Sequence, residues 1–241
     1  METDLNKKDN FLVEILLVAY NSEKTIKRTL VSIFNQTFIN WKLVVINDGS
    51  SDKTLETIYE TCKLIDNEKL KIISFEKNLG LSIRLSQFEP NRNSLFLCRI
   101  DADDIWMPHK LHYQLSCLLK DKSLIAIGSS ALTQNESNKF DMGKINCFPN
   151  SLINRFLLPF KNTFVHSSLM IRTSSFLKVN GYSSRYKYAQ DYFLLLKLSN
   201  LGKLRSLKQP LVILSKSKKQ ISYRFRTEQI SYVLKAQNEM R

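Results

Sequence analysis

Residues 94–104 read Ser-Leu-Phe-Leu-Cys-Arg-Ile-Asp-Ala-Asp-Asp, an apolar run that ends in an acidic tetrad. The run 94–100 predicts a buried strand, and Asp101 and Asp103, two positions apart at its end, point to the same side. Two like charges held close together are costly unless a cation lies between them. Hard divalent ions such as Mg²⁺ favour carboxylate oxygens and often share a site with phosphate oxygens. The stretch therefore predicts a metal–diphosphate site at the carboxyl end of a sheet.

The same tetrad has a second interpretation, an acidic helix start in which Asp104 serves as the cap ahead of Pro108. The tetrad alone does not separate the two interpretations. A shared ligand site requires further polar residues at neighbouring strand ends, whereas a helix cap requires none. The surrounding sequence therefore decides between them.

The first hundred residues alternate strands and helices. Strands are predicted over 13–18, 43–46, 71–75 and 94–100, with helices after Asn21 or Ser22, after Asp52 and over 79–88. Such repeats imply a mostly parallel sheet, whose ligands bind beyond the carboxyl ends of the strands. Three polar clusters fall at such ends: Ala19-Tyr20-Asn21, Asn47-Asp48-Gly49 and Asp101-Ala102-Asp103. Their convergence favours the ligand site.

The second half of the chain is less regular. Helices are predicted over 111–120 and 191–198, strands over 124–127 and 165–172, and a polar loop over 133–150. A basic amphipathic helix is predicted over about 220–241. With no internal repeat or clear linker, we expect one compact domain, divided near residue 105 into a nucleotide half over about 10–104 and an acceptor half over about 105–222.

The chain has 241 residues and a formal net charge of +14, which attracts anionic partners such as nucleotide diphosphates and acidic membrane surfaces. No nucleic-acid reading element accompanies the charge, so we expect no nucleic-acid partner. The four cysteines lack metal-ligand or redox spacing, and the three histidines are too scattered for zinc. Without a long apolar run or a signal-peptide start, we expect a cytoplasmic protein, with peripheral contact at the inner face of the cell membrane as an extension of that expectation.

Several sequence blocks, taken in order, resemble the family 2 glycosyltransferases of the GT-A fold. The blocks are 18–21, 32–37, 44–52, 78–82, 101–104 with Pro108, Lys110 and Leu111, then 181–182 and 190–192. The resemblance covers most of residues 12–222 and implies a Rossmann-like, mixed, mostly parallel sheet flanked by helices. It also implies an inverting transferase that moves a hexose or N-acetylhexosamine from a nucleotide diphosphate sugar, most often a UDP-sugar, to a glycan acceptor. Bacterial lipopolysaccharide or capsule synthesis, with a lipid-linked acceptor, is the setting we expect by analogy.

The resemblance also implies which residues bind the donor. By motif position, Asp48 accepts a hydrogen bond from the base, and Asp101 faces the ribose or a metal-bound water. Asp103 holds Mg²⁺ or Mn²⁺ against the diphosphate, so Asp101 and Asp103 are the candidate metal ligands of a DXD motif completed by Ala102. A cation there stabilises charge on the departing nucleoside diphosphate. The residues implied to line the nucleoside are Ala19, Tyr20, Asn21 and Glu23.

On the acceptor side, Asp191 matches the position of the catalytic base in similar inverting enzymes. Such a base removes a proton from the attacking acceptor hydroxyl. The structural alternative is a carboxylate that complements the dipole at a helix start. His166 resembles part of an acceptor-side block and equally fits a half-buried structural histidine, while Trp106 fits either packing beneath the metal loop or contact with a sugar.

Two positions depart from the family pattern. Many relatives carry an arginine five residues after the glycine that matches Gly80, whereas this chain has Leu85 there and Arg84 one position earlier. Arg84 is therefore the candidate to approach the diphosphate. A Tyr-Arg-x-His block is replaced by Leu-Ser-Lys-Ser at 214–217, which removes the histidine expected as a third metal ligand. The alternative function is thus a catalytically silent nucleotide- or glycan-binding subunit of a polysaccharide synthesis complex.

Overall fold

The computed structural model describes residues 12–135, 144–145, 151, 156–216 and 226–239. Its first hundred residues alternate strand and helix as the sequence predicts. These elements are β1 (Val13–Ala19), α1 (Ile26–Phe34), β2 (Trp41–Asp48), α2 (Thr54–Cys62), β3 (Leu70–Phe75), α3 (Leu81–Ser86) and β4 (Phe96–Asp101). The remaining elements are β5 (Ile105–Trp106), α4 (Lys110–Lys120), β6 (Leu124–Asn135), β7 (Lys144–Ile145), β8 (Met170–Arg172), α5 (Thr173–Lys178), α6 (Gln190–Ser199), β9 (Lys203–Lys216) and α7 (Arg226–Glu239).

The described strands form one nine-stranded sheet in the order β3-β2-β1-β4-β8-β6-β9-β5, with β7 paired to β6. The strands β3, β2, β1 and β4 run parallel, and Val18 of β1 pairs with Ile46 on one side and Asp101 on the other. Beyond β4 the sheet is mixed, because β8 runs antiparallel to both β4 and β6. The predicted mixed sheet is confirmed, and its parallel part brings three polar strand ends to one edge.

Helices cover both faces of the sheet, so β1 is buried along its whole length. Val13, Ile15 and Leu17 pack in a core with α1, α2 and α4. Leu16 and Val18 pack on the opposite face with α3, α5, α6 and α7. Each such side chain contributes about 1.5–3 kcal/mol when fully buried, and the two cores hold the strand ends in fixed register.

Two predicted helix caps are wrong. Helix α1 begins at Ile26, and its N-cap Thr25 makes no side-chain cap hydrogen bond. Ser22 supplies its backbone carbonyl to the Thr25 and Ile26 N–H groups instead, both at 2.9 Å. Helix α4 begins at Lys110 after His109, so Asp104 does not cap it. The structure thereby removes the helix-start interpretation of the acidic tetrad.

The predicted strand over 165–172 is divided in two. A 3₁₀ turn, His166–Ser168, precedes the short strand β8. Ser168 Oγ donates to the Val165 carbonyl at 2.7 Å, a local bond that competes with strand pairing. In contrast, β6 extends to Asn135, into the predicted loop, because it pairs with β9 along its length.

Helix α7 lies within the segment 220–241, for which the sequence predicts a basic amphipathic helix. Within its range, Arg226 and Lys235 are balanced by Glu228 and Glu239. The part of the predicted helix over 217–225 lies outside the described residues. Across the described ranges, every helix is too short or too polar to span a lipid bilayer.

Lys110, at the start of α4, is fully buried. Its Nζ donates to Gln114 Oε1 at 2.8 Å and lies 4.0 Å from the centroid of the Trp106 ring. Gln114 Nε2 in turn donates to the Ser168 carbonyl at 2.7 Å. Burial lowers the pKa of Lys110 from 10.5 to about 8. Through Gln114, Lys110 therefore holds the 3₁₀ turn in place, although burial of its ammonium group lowers the stability of the charged form.

We expect Lys110→Met to abolish a rise in the free energy of unfolding between pH 8 and 10.5. In that window the unfolded chain still binds a proton at Lys110 that the folded chain has released, so wild-type stability increases with pH. The increase amounts to about 3 kcal/mol. Urea unfolding across this range measures it, and Lys120→Met, at an exposed position on the same helix, is the control. An undiminished rise in Lys110→Met would contradict this assignment.

Candidate active site

Arg99 and Asp101 form an ion pair at the carboxyl end of β4. They lie two positions apart, so both side chains project from the same face of the sheet. The Arg99 guanidinium donates to both carboxylate oxygens of Asp101, at 2.8 Å to one of them. Arg99 is 3 % exposed and Asp101 is 37 % exposed, so a buried cation orients a carboxylate that remains accessible. Bidentate pairing of this kind fixes geometry as well as charge.

Asp104 is buried beneath the tetrad and has a different function from its neighbours. Its carboxylate lies 2.5 Å from Ser167 Oγ and accepts the Ser215 N–H at 3.1 Å. Burial, with the charges of Asp101 and Asp103, raises the pKa of Asp104 well above its ordinary value. Ser167 Oγ also lies 3.1 Å from the Asp101 carboxylate, so the serine connects the two acids. Asp104 therefore links the loop to β9 and the 3₁₀ turn.

The backbone of the tetrad is held by α1. Thr29 Oγ1 donates to the carbonyls of Ala102 at 3.1 Å and Asp104 at 2.8 Å. Arg28 Nη2 donates to the Asp103 carbonyl at 3.0 Å and to Ser215 Oγ at 2.5 Å. The same helix thus fixes the loop from one side while β9 fixes it from the other, and the Asp103 side chain is half-buried.

Asp191 lies half-buried in the first turn of α6, and Asn162 Nδ2 donates to its carboxylate at 3.0 Å. Burial raises the pKa of Asp191 above its ordinary value; the Tyr192 N–H and Arg99 oppose the rise, and Asp101 adds to it. The Asp191 carboxylate therefore lies desolvated at a helix start, and its raised pKa suits a proton acceptor. That Asp191 and the end of β4 line one cleft stays a prediction.

His166 is half-buried between Arg99 and Tyr182. Arg99 Nη1 lies 2.7 Å from Nδ1, and the Tyr182 hydroxyl lies 2.8 Å from Nε2. Burial and the charge of Arg99 hold the pKa of His166 well below its ordinary value, so the ring is neutral at pH 7. The histidine is thus part of a hydrogen-bonded chain that begins at the Asp101 carboxylate.

Asp48, at the end of β2, is 1 % exposed and its carboxylate is occupied by protein donors. Oδ1 accepts from the Leu79 N–H at 3.1 Å and from Arg84 Nε at 2.5 Å. Oδ2 accepts from Asn78 Nδ2 at 3.0 Å and from the Gly80 N–H at 2.8 Å. Four donors fill the acceptor positions of a carboxylate. A nucleotide base would have to displace one of them, so the base contact of Asp48 stays a prediction.

Arg84 is 4 % exposed, and all three of its nitrogens bond inside the protein. Besides the pair with Asp48, Nη1 donates to Gln87 Oε1 at 3.1 Å and Nη2 to the Lys77 carbonyl at 2.8 Å. The guanidinium carbon lies 3.5 Å from the centroid of the Phe75 ring. This geometry gives Arg84 a positioning role in the 77–80 loop and lends no support to its predicted approach to the diphosphate.

The turns that follow β1 and β2 interlock. Asn21 has a positive φ of 47°, and its Oδ1 accepts a backbone N–H of the turn after β2 at 2.9 Å. Glu23 accepts the Lys53 N–H at 3.2 Å, next to the start of α2. Ala19 is buried at the end of β1, whereas Tyr20 is 49 % exposed. Of the four predicted nucleoside-lining residues, Tyr20 and Asn21 are therefore the exposed ones.

Gly49 fixes the distance between the β2 turn and the 77–80 loop. Its φ is +66°, in the left-handed region that favours glycine. A Cβ placed there would lie 2.6 Å from the backbone nitrogen of Asn78 and 2.6 Å from the carbonyl carbon of Lys77. Both contacts are with backbone, which no side-chain rotation relieves. The two segments consequently have room for glycine alone.

Trp106 is 2 % exposed, and its indole N–H donates to the Ser167 carbonyl at 2.8 Å. The packing interpretation of Trp106 therefore fits, and contact with a sugar face does not.

Sequence reasoning missed Arg99, Ser167 and Ser215. A charged residue at strand spacing before Asp101 was a usable signal for Arg99. No such signal existed for Ser167 and Ser215, because they are 63 and 111 residues away from Asp104 along the chain.

No cluster of three or more His, Cys, Asp and Glu side chains forms a metal cage in the described part of the chain. Mg²⁺ shared with a substrate needs only one or two carboxylates, since phosphates and waters complete its shell. In the predicted site, Asp103 would supply one carboxylate at the carboxyl edge. Asp101 supplies another, whose charge is partly balanced by Arg99. The donor set therefore fits a cation held jointly with a diphosphate.

The strand order and the acidic edge define the GT-A class of glycosyltransferase folds. S. aureus TarS residues 1–349, solved in complex with UDP, matches with a TM-score of 0.68 and 20 % identity over 95 % of this chain and 64 % of that one. Mannosyltransferase PcManGT from Pyrobaculum calidifontis, in complex with GDP-Man and Mn²⁺, matches with a TM-score of 0.66 and 15 % identity over 93 % and 62 %. At these identities the likeness shows the fold.

The sequence profile of Glycosyl transferase family 2 matches residues 14–179, and the chain belongs to this family. It is 31 % identical over 209 residues to the Escherichia coli UDP-Glc:alpha-D-GlcNAc-diphosphoundecaprenol beta-1,3-glucosyltransferase WfgD, covering 76 % of this chain and 79 % of that protein. It is 32 % identical over 216 residues to an uncharacterized glycosyltransferase of Haemophilus influenzae, covering 83 % and 64 %. The predicted family and fold are confirmed.

Proposed function

We propose that the protein is an inverting, metal-dependent glycosyltransferase that moves a hexose or N-acetylhexosamine from a UDP-sugar to a glycan acceptor. One observation carries the proposal: the buried Arg99 orients the accessible Asp101 carboxylate at the carboxyl end of β4, the edge where the polar strand ends meet. With Asp191 as the base, this diphosphate-facing carboxylate is the second of the two parts that direct displacement at an anomeric carbon requires. A cytoplasmic location is part of this proposal.

The acceptor is proposed to be a lipid-linked glycan of bacterial surface polysaccharide synthesis. The E. coli relative is named for transfer from UDP-Glc to a diphosphoundecaprenol-linked GlcNAc. A second E. coli relative, 28 % identical over 191 residues, is named as the O-antigen biosynthesis glycosyltransferase WbnJ. The net charge of +14 supports contact with an anionic membrane surface that presents such an acceptor.

Each group in the cleft has a defined part in the proposed reaction. Asp191 accepts the proton of the acceptor hydroxyl as that oxygen attacks the anomeric carbon from the side opposite the leaving group. Asp103, with Asp101 beside it, would hold Mg²⁺ or Mn²⁺, which supplies positive charge next to the diphosphate when bound. Arg99 keeps the Asp101 carboxylate oriented, and Thr29 and Arg28 keep the loop backbone in place.

We expect Asp103→Asn to abolish the Mn²⁺-dependent part of UDP binding. A bound ligand raises the unfolding temperature by mass action, so wild-type protein should be stabilised more by UDP with Mn²⁺ than by UDP alone. The variant loses the carboxylate charge while its backbone contacts with Arg28 stay intact. Thermal unfolding with a panel of nucleotide sugars, with and without Mn²⁺, measures both the donor and the metal requirement. A Mn²⁺ effect of wild-type size in Asp103→Asn would count against Asp103 as a ligand.

A further inference from the structure

We propose that Arg99 sets the tautomer of His166, so that the Tyr182 hydroxyl keeps its hydrogen for a hydroxyl oxygen of the transferred sugar. The inference rests on the proposed function, since it names a sugar-recognition group within the same cleft. Tyr182 belongs to the Gly181-Tyr182 block for which the mechanism above gives no task. The argument has three steps: the tautomer, the direction of the next hydrogen bond, and the place of the hydroxyl.

The first step follows from the chemistry of Arg99. A guanidinium carries only donors and stays protonated, so it cannot accept a hydrogen bond from an imidazole. Arg99 Nη1 lies 2.7 Å from His166 Nδ1, at hydrogen-bond distance. Nδ1 therefore has to be the acceptor and carries no hydrogen. The neutral ring must then carry its hydrogen on Nε2.

The second step concerns the hydroxyl of Tyr182. His166 Nε2 lies 2.8 Å from that oxygen, and with a hydrogen on Nε2 the histidine donates and the tyrosine accepts. A phenol that accepts one hydrogen bond still has its own hydrogen to donate. If the hydrogen were on Nδ1, Nε2 would be an acceptor, and the Tyr182 hydroxyl would donate its hydrogen to the histidine. Through the tautomer of His166, Arg99 thus determines that the Tyr182 hydroxyl accepts a hydrogen bond from the histidine and can donate to another group.

The third step is the position of Tyr182. Hydrogen bonds through His166 and Arg99 connect its hydroxyl to the Asp101 carboxylate. Within the described part of the chain, no protein group accepts the hydrogen of this hydroxyl. In the proposed reaction Asp101 lies on the diphosphate side, so the transferred sugar would lie beside the end of this hydrogen-bonded chain.

The neighbours of Tyr182 hold it in this place. Gly181 has a φ of +53°, and a Cβ there would lie 2.8 Å from the Phe176 ring. The Phe176 and Tyr182 rings meet edge to face with centroids 5.4 Å apart. Tyr182 is 5 % exposed, so its ring is packed and its position is set by the protein before any sugar binds.

Nitrogen NMR of the histidine rings tests the tautomer directly in the unliganded protein. The chain has three histidines, and an Arg99→Gln variant supplies the comparison, because glutamine can accept from Nδ1 as well as donate to it. We expect His166 in wild type to be protonated on Nε2 alone, and Arg99→Gln to populate the other tautomer. Protonation of Nδ1 in the wild-type protein would overturn the proposal.

Calorimetric titration of Tyr182→Phe with UDP and with UDP-glucose tests the role of the hydroxyl. We expect unchanged affinity for UDP and roughly three- to tenfold weaker affinity for UDP-glucose, the size of one lost hydrogen bond. Equal affinities for UDP-glucose in variant and wild type would overturn the role of Tyr182. If wild type binds neither UDP nor UDP-glucose, the proposed donor fails and this role fails with it, whereas the Nε2 tautomer would still be observed.

Discussion

Asp191→Asn should lower the rate of sugar transfer by about 10²–10⁴-fold, the usual contribution of a positioned general base. The substitution keeps the size of the side chain and its contact with Asn162, which can pair with an amide oxygen. It removes the proposed proton acceptor from the first turn of α6. Steady-state transfer from the donor identified by thermal unfolding measures the rate, and UDP affinity should stay at the wild-type value.

The control for this variant is Glu56→Gln. Glu56 is an exposed acid in the first turn of α2, as Asp191 is an acid in the first turn of α6, so both changes remove one charge from a helix start. Removal of the exposed Glu56 charge is expected to cost about 0.3–1 kcal/mol of stability through the helix dipole. Removal of the Asp191 charge is expected to cost less, because burial already disfavours its ionised form. Only Asp191→Asn should lose transfer. Full transfer activity of Asp191→Asn would leave Asp191 only its structural role at the helix start. Absence of transfer by the wild-type protein would favour the alternative function, a catalytically silent binding subunit.

Arg84→Met should destabilise the fold by about 3–5 kcal/mol, because it leaves the buried Asp48 charge without its cationic partner. Both side chains are almost fully buried. The double variant Asp48→Asn with Arg84→Met should recover part of the loss, since it removes the charge that became unpaired. Urea unfolding of the two single variants and the double variant gives the coupling energy directly.

An exposed ion pair in the same chain provides the comparison. Arg185 and Glu239 lie 3.2 Å apart with side chains 67 % and 38 % exposed. Arg185→Met is expected to cost no more than about 1 kcal/mol, as is usual for surface pairs. A small effect of Arg84→Met, together with a large loss of UDP affinity, would restore the predicted contact between Arg84 and the diphosphate.

The parallel part of the sheet could be predicted because β1, β2 and β4 are largely apolar runs followed by polar residues. That pattern places Asp101 and Asp48 at one edge without any knowledge of side-chain partners. The partners themselves could not be predicted. Whether the Asp48 carboxylate faces a ligand or Arg84 depends on a single turn of α3, and the arginine lies one position away from the place where the family pattern expects it.

The 165–172 segment shows why a second prediction failed. Its apolar residues suit a strand, but His166, Ser167 and Ser168 each find a partner brought near by distant parts of the chain. His166 pairs with Arg99, and Ser167 pairs with Asp104. Ser168 Oγ accepts the Ser129 N–H at 3.0 Å. Side-chain bonds of this kind outweigh local strand preference, and sequence periodicity does not report them.

Few amino-acid substitutions would be tolerated at the end of β2 in a directed-evolution experiment on donor preference. Any residue larger than glycine at Gly49 collides with the backbone of residues 77–78, and the adjacent Asp48 already has its full set of donors. Libraries that vary these positions would return mostly unfolded protein. Tyr20, at the neighbouring strand end, presents half its surface to solvent, so diversity placed there would probe the predicted nucleoside contact while the scaffold survives.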